Sequence, residues 1–151
     1  MPNTTFIKAA FFDLGGTLIG NNRDWLAGAQ NALTTLRAKQ IRLGIISNTG
    51  HLSRPQIRAL LPPDFDLGLF ESNLVVFSSE VHVEKPDPNI FLLAIKQASV
   101  KPDECLFCTE EIAHIVAAQH VGMQTVRVQP PPHSSIGKIV EKLTAAGMLP
   151  V

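Results

Sequence analysis

Polar residues follow apolar bursts at regular places along this chain. Phe6 to Phe12 runs into Asp13, Ile41 to Ile46 into Ser47 and Asn48, and Cys105 to Cys108 into Thr109 and Glu110. Leu74 to Phe77 is followed, after a loop, by Lys85. A carboxylate, a hydroxyl beside a carboxamide, a lysine amine and a second carboxylate are residue types that can bind a ligand. They are far apart in sequence and can act together only if the fold gathers them. In open α/β sheets, ligands bind outside the carboxyl ends of the strands. If the bursts are parallel strands, these side chains converge at one mouth.

The elements that would do this are legible. The four bursts, with a fifth over Gln124 to Val128, are continuous apolar runs of strand length, which suits strands buried on both faces of a parallel sheet. Helical patterns separate them. Trp25, Ala29, Ala32, Leu33 and Leu36 recur at helical spacing, with Asp24 as the expected N-cap. Ser53 and Gln56 have capping-box spacing for a short helix that stops before Pro62 and Pro63. Asp87-Pro88 reads as an N-cap and first-turn proline for a helix through about Ala98. Glu111 to His120, closed by Gly122, and Ser134 to Ala146, closed by Gly147, are the remaining helices. Strands alternating with helices predict a Rossmann-like, doubly wound α/β fold: three layers (α/β/α) around a parallel sheet of about five strands, in a single domain over residues 1–151.

The totals exclude several classes. The 151 residues carry 45% hydrophobic and 17% charged side chains, enough apolar material for a core. Lys+Arg and Asp+Glu are both 13, so no global field recruits nucleic acid or an acidic membrane. No stretch approaches the ~20 apolar residues of a membrane span, and Met1 to Lys8 lacks the apolar region of a signal peptide. A cytoplasmic protein is expected. The two cysteines, Cys105 and Cys108, read as buried thiols on opposite faces of one strand, not as a redox or zinc site. Pro130 to Pro132 reads as a stiff spacer, and His82 as a turn or surface residue.

Taken in order, the motifs resemble those of the haloacid dehalogenase-like (HAD) hydrolase superfamily. Asp13-Leu14-Gly15-Gly16-Thr17-Leu18 is similar to its first motif, D-x-D-G-T-L. Ile46-Ser47-Asn48-Thr49 is similar to the second, a Ser or Thr closing strand two. Lys85-Pro86-Asp87-Pro88-Asn89-Ile90-Phe91 resembles the third, K-P-D-P-x-x-F. Val121-Gly122-Met123-Gln124-Thr125-Val126 resembles the A-G-M-x-T-V that follows the fourth. The resemblance spans residues 6–128 and implies the strand order 5-4-1-2-3. It implies Asp13 as a carboxylate nucleophile that forms a covalent intermediate, and Ser47 with neighbouring backbone N–H groups as holders of phosphate oxygens. Asn48 is implied at the same substrate-binding place. Lys85 would neutralise the charge of nucleophile and substrate. Gly15 and Gly16 would let the chain turn sharply, and Thr17 would hydrogen-bond within that turn.

The departures from the pattern bear on function. The phosphatase pattern has a general acid–base aspartate two residues after the nucleophile, where this chain has Gly15. Losing such a group costs ~10²–10⁴ in rate. Thr109 and His114 replace the acids of the fourth motif. The Mg²⁺ implied by the family is therefore expected to be weakly bound or absent, its ligands Asp13, a Gly15 carbonyl and Glu110. No cap domain is expected: Asp13 to Ser47 holds a turn and one helix, and Ser47 to Lys85 a helix, a Pro-rich loop and a strand. Capless relatives act on large substrates, or a neighbouring copy covers the mouth. The leading reading is a phosphatase-class hydrolase of weak or altered activity on a small phosphorylated ligand or a phosphorylated macromolecule. Two others stay open: an inactive pseudoenzyme that binds a phosphorylated ligand or protein, and a metal-free carbon–halogen hydrolase.

Overall fold

In the computed structural model, which describes residues 5–150, the apolar bursts form five parallel strands: β1 (Ala9–Phe12), β2 (Arg42–Ser47), β3 (Val75–Phe77), β4 (Cys105–Thr109) and β5 (Gln124–Arg127). Their order is β3-β2-β1-β4-β5, the order implied by the sequence motifs. β1 lies at the centre, with Ala9 to Phe12 wholly buried. Successive strand side chains point to opposite faces, so β1 feeds two cores. Ala10 and Phe12 enter one with Leu33 and Leu36 of α1 (Ala29–Ala38) and Ile139 and Leu143 of α6 (Ile139–Ala145). Ala9 and Phe11 enter the other with Ile90, Phe91 and Ala94 of α4 (Pro88–Ala98) and Ala118 of α5 (Ile112–His120). The cysteines divide the same way, Cys105 into the second core and Cys108 into the first, both as free buried thiols. This is the three-layer arrangement the strand–helix alternation predicts. The short α2 (Arg54–Arg58) and α3 (Ser78–Val81) complete the elements used below.

Local signals account for most boundaries. Ser53 and Gln56 form the expected capping box on α2. The Asp87 carboxylate accepts from Asn89 N–H at 2.9 Å, with Pro88 in the first turn of α4. His82 ends α3 in a left-handed turn.

Several boundaries move by a residue from expectation, and three differences have a visible cause in the contacts. Asp24 does not cap α1. Its carboxylate accepts from Asn22 N–H at 3.2 Å and its carbonyl from Gly20 N–H at 2.9 Å, which closes a flap ahead of the helix. The helix begins after Gly28, at φ 79, where an added Cβ would lie 2.6 Å from Cα of Gly137; only glycine combines that φ with that approach. β1 begins at Ala9, not Phe6, because Ile7 N–H is occupied by Met148 C=O at 3.0 Å and the ladder to β2 opens at Ala9 opposite Arg42. The last helix begins with a 3₁₀ turn at Ile136–Lys138, because the Ser135 hydroxyl accepts from Gln129 N–H at 2.8 Å and closes the preceding loop. No helix among the described residues is long and apolar enough to cross a membrane.

Candidate functional site

Asp13 follows the last residue of β1, and Cys108 C=O of β4 accepts its N–H at 3.1 Å. The carboxylate is therefore fixed at the carboxyl end of the sheet, with the side chain 13% exposed. Its Oδ1 accepts from Leu14 N–H at 2.8 Å and faces the Lys85 amine at 3.0 Å. Its Oδ2 accepts from the Thr109 hydroxyl at 3.3 Å. Thr109, which stands where the family has an acid, thus serves as a neutral donor to Asp13. That hydroxyl also accepts from Glu111 N–H at 3.2 Å, which fixes its orientation.

Lys85 is 3% exposed and its Nζ lies 5.3 Å from the centre of the Phe107 ring. Burial pulls the pKa of this amine down, against the Asp13 carboxylate, which raises it. Asn48 holds the lysine in place: its Nδ2 donates to Lys85 C=O at 2.9 Å, and its Oδ1 accepts from Lys85 N–H at 2.8 Å. The carboxamide expected at the substrate is turned toward the lysine backbone. Thr49, which carried no separate signal, braces the same loop. Its N–H donates to the Ser78 hydroxyl at 2.8 Å, and its hydroxyl accepts from Ser79 N–H at 3.0 Å.

Ser47, 6% exposed, lines a cavity of about 260 Å³ together with Gly15 and Asn48. Gly15 places no side chain there, and nothing lies within 4 Å of an added Cβ. Gly16 has φ 78, and the Glu110 carboxylate lies where its Cβ would be, so Glu110 reaches over the turn toward Asp13. Burial, then the neighbouring Glu111 and Asp13 charges, raise the Glu110 pKa. Thr17 does not make the bond expected of it. Its hydroxyl is buried and without a partner among the described residues. The turn is closed by backbone bonds instead, with Leu14 C=O accepting from Thr17 N–H at 3.2 Å and Leu18 N–H at 2.9 Å. His114 is half-buried, its Nδ1 lacks a partner among the described residues, and burial and the Lys85 charge lower its pKa, favouring the neutral imidazole.

These residues make a poor site for a hard divalent cation. Asp13 Oδ1 already holds two donors, one of them an ammonium. Among the described residues no three His, Cys, Asp or Glu side chains gather as a metal cluster. Such a cation wants several charged oxygens, and Asp13 and Glu110 supply two carboxylates beside a lysine cation.

A family model described as haloacid dehalogenase-like hydrolase matches residues 26–122. Glyceraldehyde 3-phosphate phosphatase of Pyrococcus furiosus is 34% identical over 101 residues, 66% of this chain and 40% of that one. The chain spans less than half the length of the curated relatives it matches. Among solved structures, a HAD phosphatase from Thermococcus onnurineus superposes with a TM-score of 0.72 at 17% identity, over 96% of this chain and 100% of that one. A mutant HAD family enzyme from Bacteroides thetaiotaomicron, in complex with magnesium and inorganic phosphate, superposes with a TM-score of 0.71 at 17% identity, over 83% and 95%. At these identities the two structures speak to the fold. Together with the ordered motifs, the family match establishes that the chain belongs to the haloacid dehalogenase-like hydrolases.

Proposed function

We propose that this chain binds a phosphoryl group at Asp13, Ser47 and Lys85, and that it is a phosphatase-class hydrolase with Asp13 as nucleophile and slow turnover. The observation that carries this reading is the buried Asp13–Lys85 pair at 3.0 Å at the carboxyl end of the sheet; Leu14 and Gly15, which follow Asp13, line the cavity that holds Ser47. A lysine this buried keeps its charge at a cost, and a phosphoryl anion entering beside it would share that charge. Lys85 holds and neutralises the incoming oxyanion. Asp13, oriented by Leu14 N–H and Thr109, attacks phosphorus in line with the departing ester oxygen. The P–O bond to the leaving group breaks as the aspartyl–phosphorus bond forms.

No carboxylate at position 15 protonates that leaving group or activates water for the second step. A good leaving group therefore departs, and the aspartyl-phosphate persists. The names of relatives support a phosphate ester as the substrate, without fixing its body: phosphatases of glyceraldehyde 3-phosphate and of phosphorylated carbohydrates are among them. The site is read as without a cap, and the donor set present gives Mg²⁺ a weak grip at best. The alternative of a ligand-binding pseudoenzyme is favoured by one observation, the empty space at Gly15.

The test is p-nitrophenyl phosphate under pre-steady-state conditions, with and without Mg²⁺. The expected result is a burst of at most one p-nitrophenolate per chain, phosphate trapped on Asp13, and no burst from Asp13→Asn. Steady turnover of ~1 s⁻¹ or more, abolished by Asp13→Asn, would refute the impaired-enzyme reading. No burst together with measurable phosphate binding would favour the pseudoenzyme.

A further inference from the structure

The cavity beside Ser47 has a wall that the proposed phosphoryl chemistry does not use. From Gly15, Ser47 and Asn48 it extends between the flap, with Ile19 and Arg23, and the α2 segment, with Leu52, Ile57 and Leu60. Its far side is aliphatic. Leu60 is 56% exposed, a large apolar side chain left in water at the rim of the site. Arg23 stands at the same rim. Its Nε donates to Leu61 C=O at 3.0 Å, and its two terminal amino groups have no hydrogen-bond partner among the described residues. It adopts φ 55, an uncommon backbone conformation for arginine. Arg23 and Leu61 also line a second hollow of about 370 Å³ that Arg58 enters. Asp66 faces that hollow too, with one carboxylate oxygen occupied by Gly68 N–H at 2.8 Å.

Ser47 of the proposed phosphoryl site, an aliphatic wall and Arg23 therefore line one cavity. Resting on the phosphoryl site proposed above, we infer that the cleft selects a phosphate monoester with a short apolar body and a second anionic group at its far end, read by Arg23. At about 260 Å³ the cavity is below the usual range for drug-sized ligands, so the body is small. A polyol body, as in a sugar phosphate, would lose hydroxyl hydration against Leu52 and Leu60 without gaining partners there. An alkyl body covers the same side chains favourably. The distal anion meets Arg23, whose planar fork suits a carboxylate or a phosphate.

Phosphonates, which are not hydrolysed at the P–C bond, separate the parts of this inference. Binding to the intact chain is measured by calorimetry for methylphosphonate, n-hexylphosphonate and 6-phosphonohexanoate. Each methylene that reaches the wall is expected to tighten binding by up to about fourfold, and the terminal carboxylate by about fivefold more. Arg23→Gln removes only the carboxylate increment, Arg23→Lys keeps part of it, and Leu60→Ser reduces only the alkyl increment. All three changes lie at exposed positions, and thermal melting checks that the fold is kept. Methylphosphonate and hexylphosphonate binding equally, or a carboxylate increment that survives Arg23→Gln, overturns the inference and leaves the phosphoryl site standing. Absence of binding by every phosphonate overturns the phosphoryl site, and the inference with it.

Discussion

Asn48 and Lys85 are joined by a closed pair of hydrogen bonds, the carboxamide of one donating to and accepting from the backbone of the other at 2.9 and 2.8 Å. The loop after β2 is thereby locked to the loop after β3, and the lysine side chain is sent inward to Asp13. Asn48→Ala removes both bonds. At a net ~0.5–1.5 kcal/mol each, the loss is about 1–3 kcal/mol of stability. Because the bonds fix a backbone and not a substrate, phosphate affinity should also fall, through a displaced Lys85. Urea unfolding and phosphate calorimetry on the variant check both effects. Unchanged stability with weakened binding would instead mean that Asn48 touches the ligand directly.

The Asp13–Lys85 pair makes a second, sharper prediction. With the Asp13 side chain 13% exposed and that of Lys85 1%, either single removal leaves a charge whose partner is gone. Breaking a buried pair in this way costs about 3–5 kcal/mol. Asp13→Asn strands the better buried of the two charges, so it should destabilise more than Lys85→Met, whose orphaned carboxylate keeps Leu14 N–H and Thr109. The double variant should be more stable than the sum of the singles implies. A denaturation cycle measures this coupling directly, and additive single effects would contradict it.

Much of this site is legible in the sequence, and the reasons are local. Asp13 and Ser47 sit at strand ends, so the parallel sheet alone brings them to one end, while Lys85 follows a turn after α3 and is recognised by its K-P-D-P motif. The capping box at Ser53 and the Asp87-Pro88 start of α4 depend on residues within three or four positions of each other. What is not legible depends on contacts across the chain. That Gly28 starts α1 follows from its approach to Gly137, more than a hundred positions away, and nothing near Asp24 announces it. Thr109 reads as a lost acid in sequence, and only the β1–β4 register shows its hydroxyl reaching Asp13. The orientation of Asn48 toward Lys85, and the role of Thr49 in bracing the loop, likewise need the packing of β2 against the β3 side of the sheet.

Away from the site, Arg42 and Glu71 form a bidentate pair at 2.7 and 2.8 Å. The Arg42 guanidinium holds the Glu71 carboxyl below its ordinary value. A carboxyl depressed in the folded state contributes stability above its unfolded pKa and loses it as pH falls through the folded pKa. Glu71→Gln should therefore destabilise at neutral pH, and the cost should shrink on acidification below the ordinary value of 4.5. Both side chains are a third or more exposed, so the neutral-pH effect is at most about 1 kcal/mol. Melting curves of the two proteins at pH 7 and pH 3 give the comparison; a cost that grows in acid would show that another group carries it.

The site lacks an acid at position 15 and an anionic metal ligand at position 109, and two substitutions restore them. An aspartate at Gly15 meets no steric obstacle, since nothing lies within 4 Å of its Cβ. Gly15→Asp should therefore fold, and should raise turnover of p-nitrophenyl phosphate by supplying the base for the second step. It should not restore full activity, because Thr109 still contributes no charge to a metal site. Thr109→Asp alone should be harmful without metal. It replaces a wholly buried hydroxyl donor to Asp13 with a second carboxylate at the same place, and two such groups repel. Mg²⁺, which the unaltered chain should bind with a Kd in the millimolar range or weaker, should raise the Tm of Thr109→Asp, because binding to the folded state alone stabilises it. In the double variant the general base and the metal ligand act on one transition state. The gain in kcat/KM should then exceed the product of the single gains, measured at saturating Mg²⁺. A double variant no faster than the better single one would show that the site has lost more than these two carboxylates.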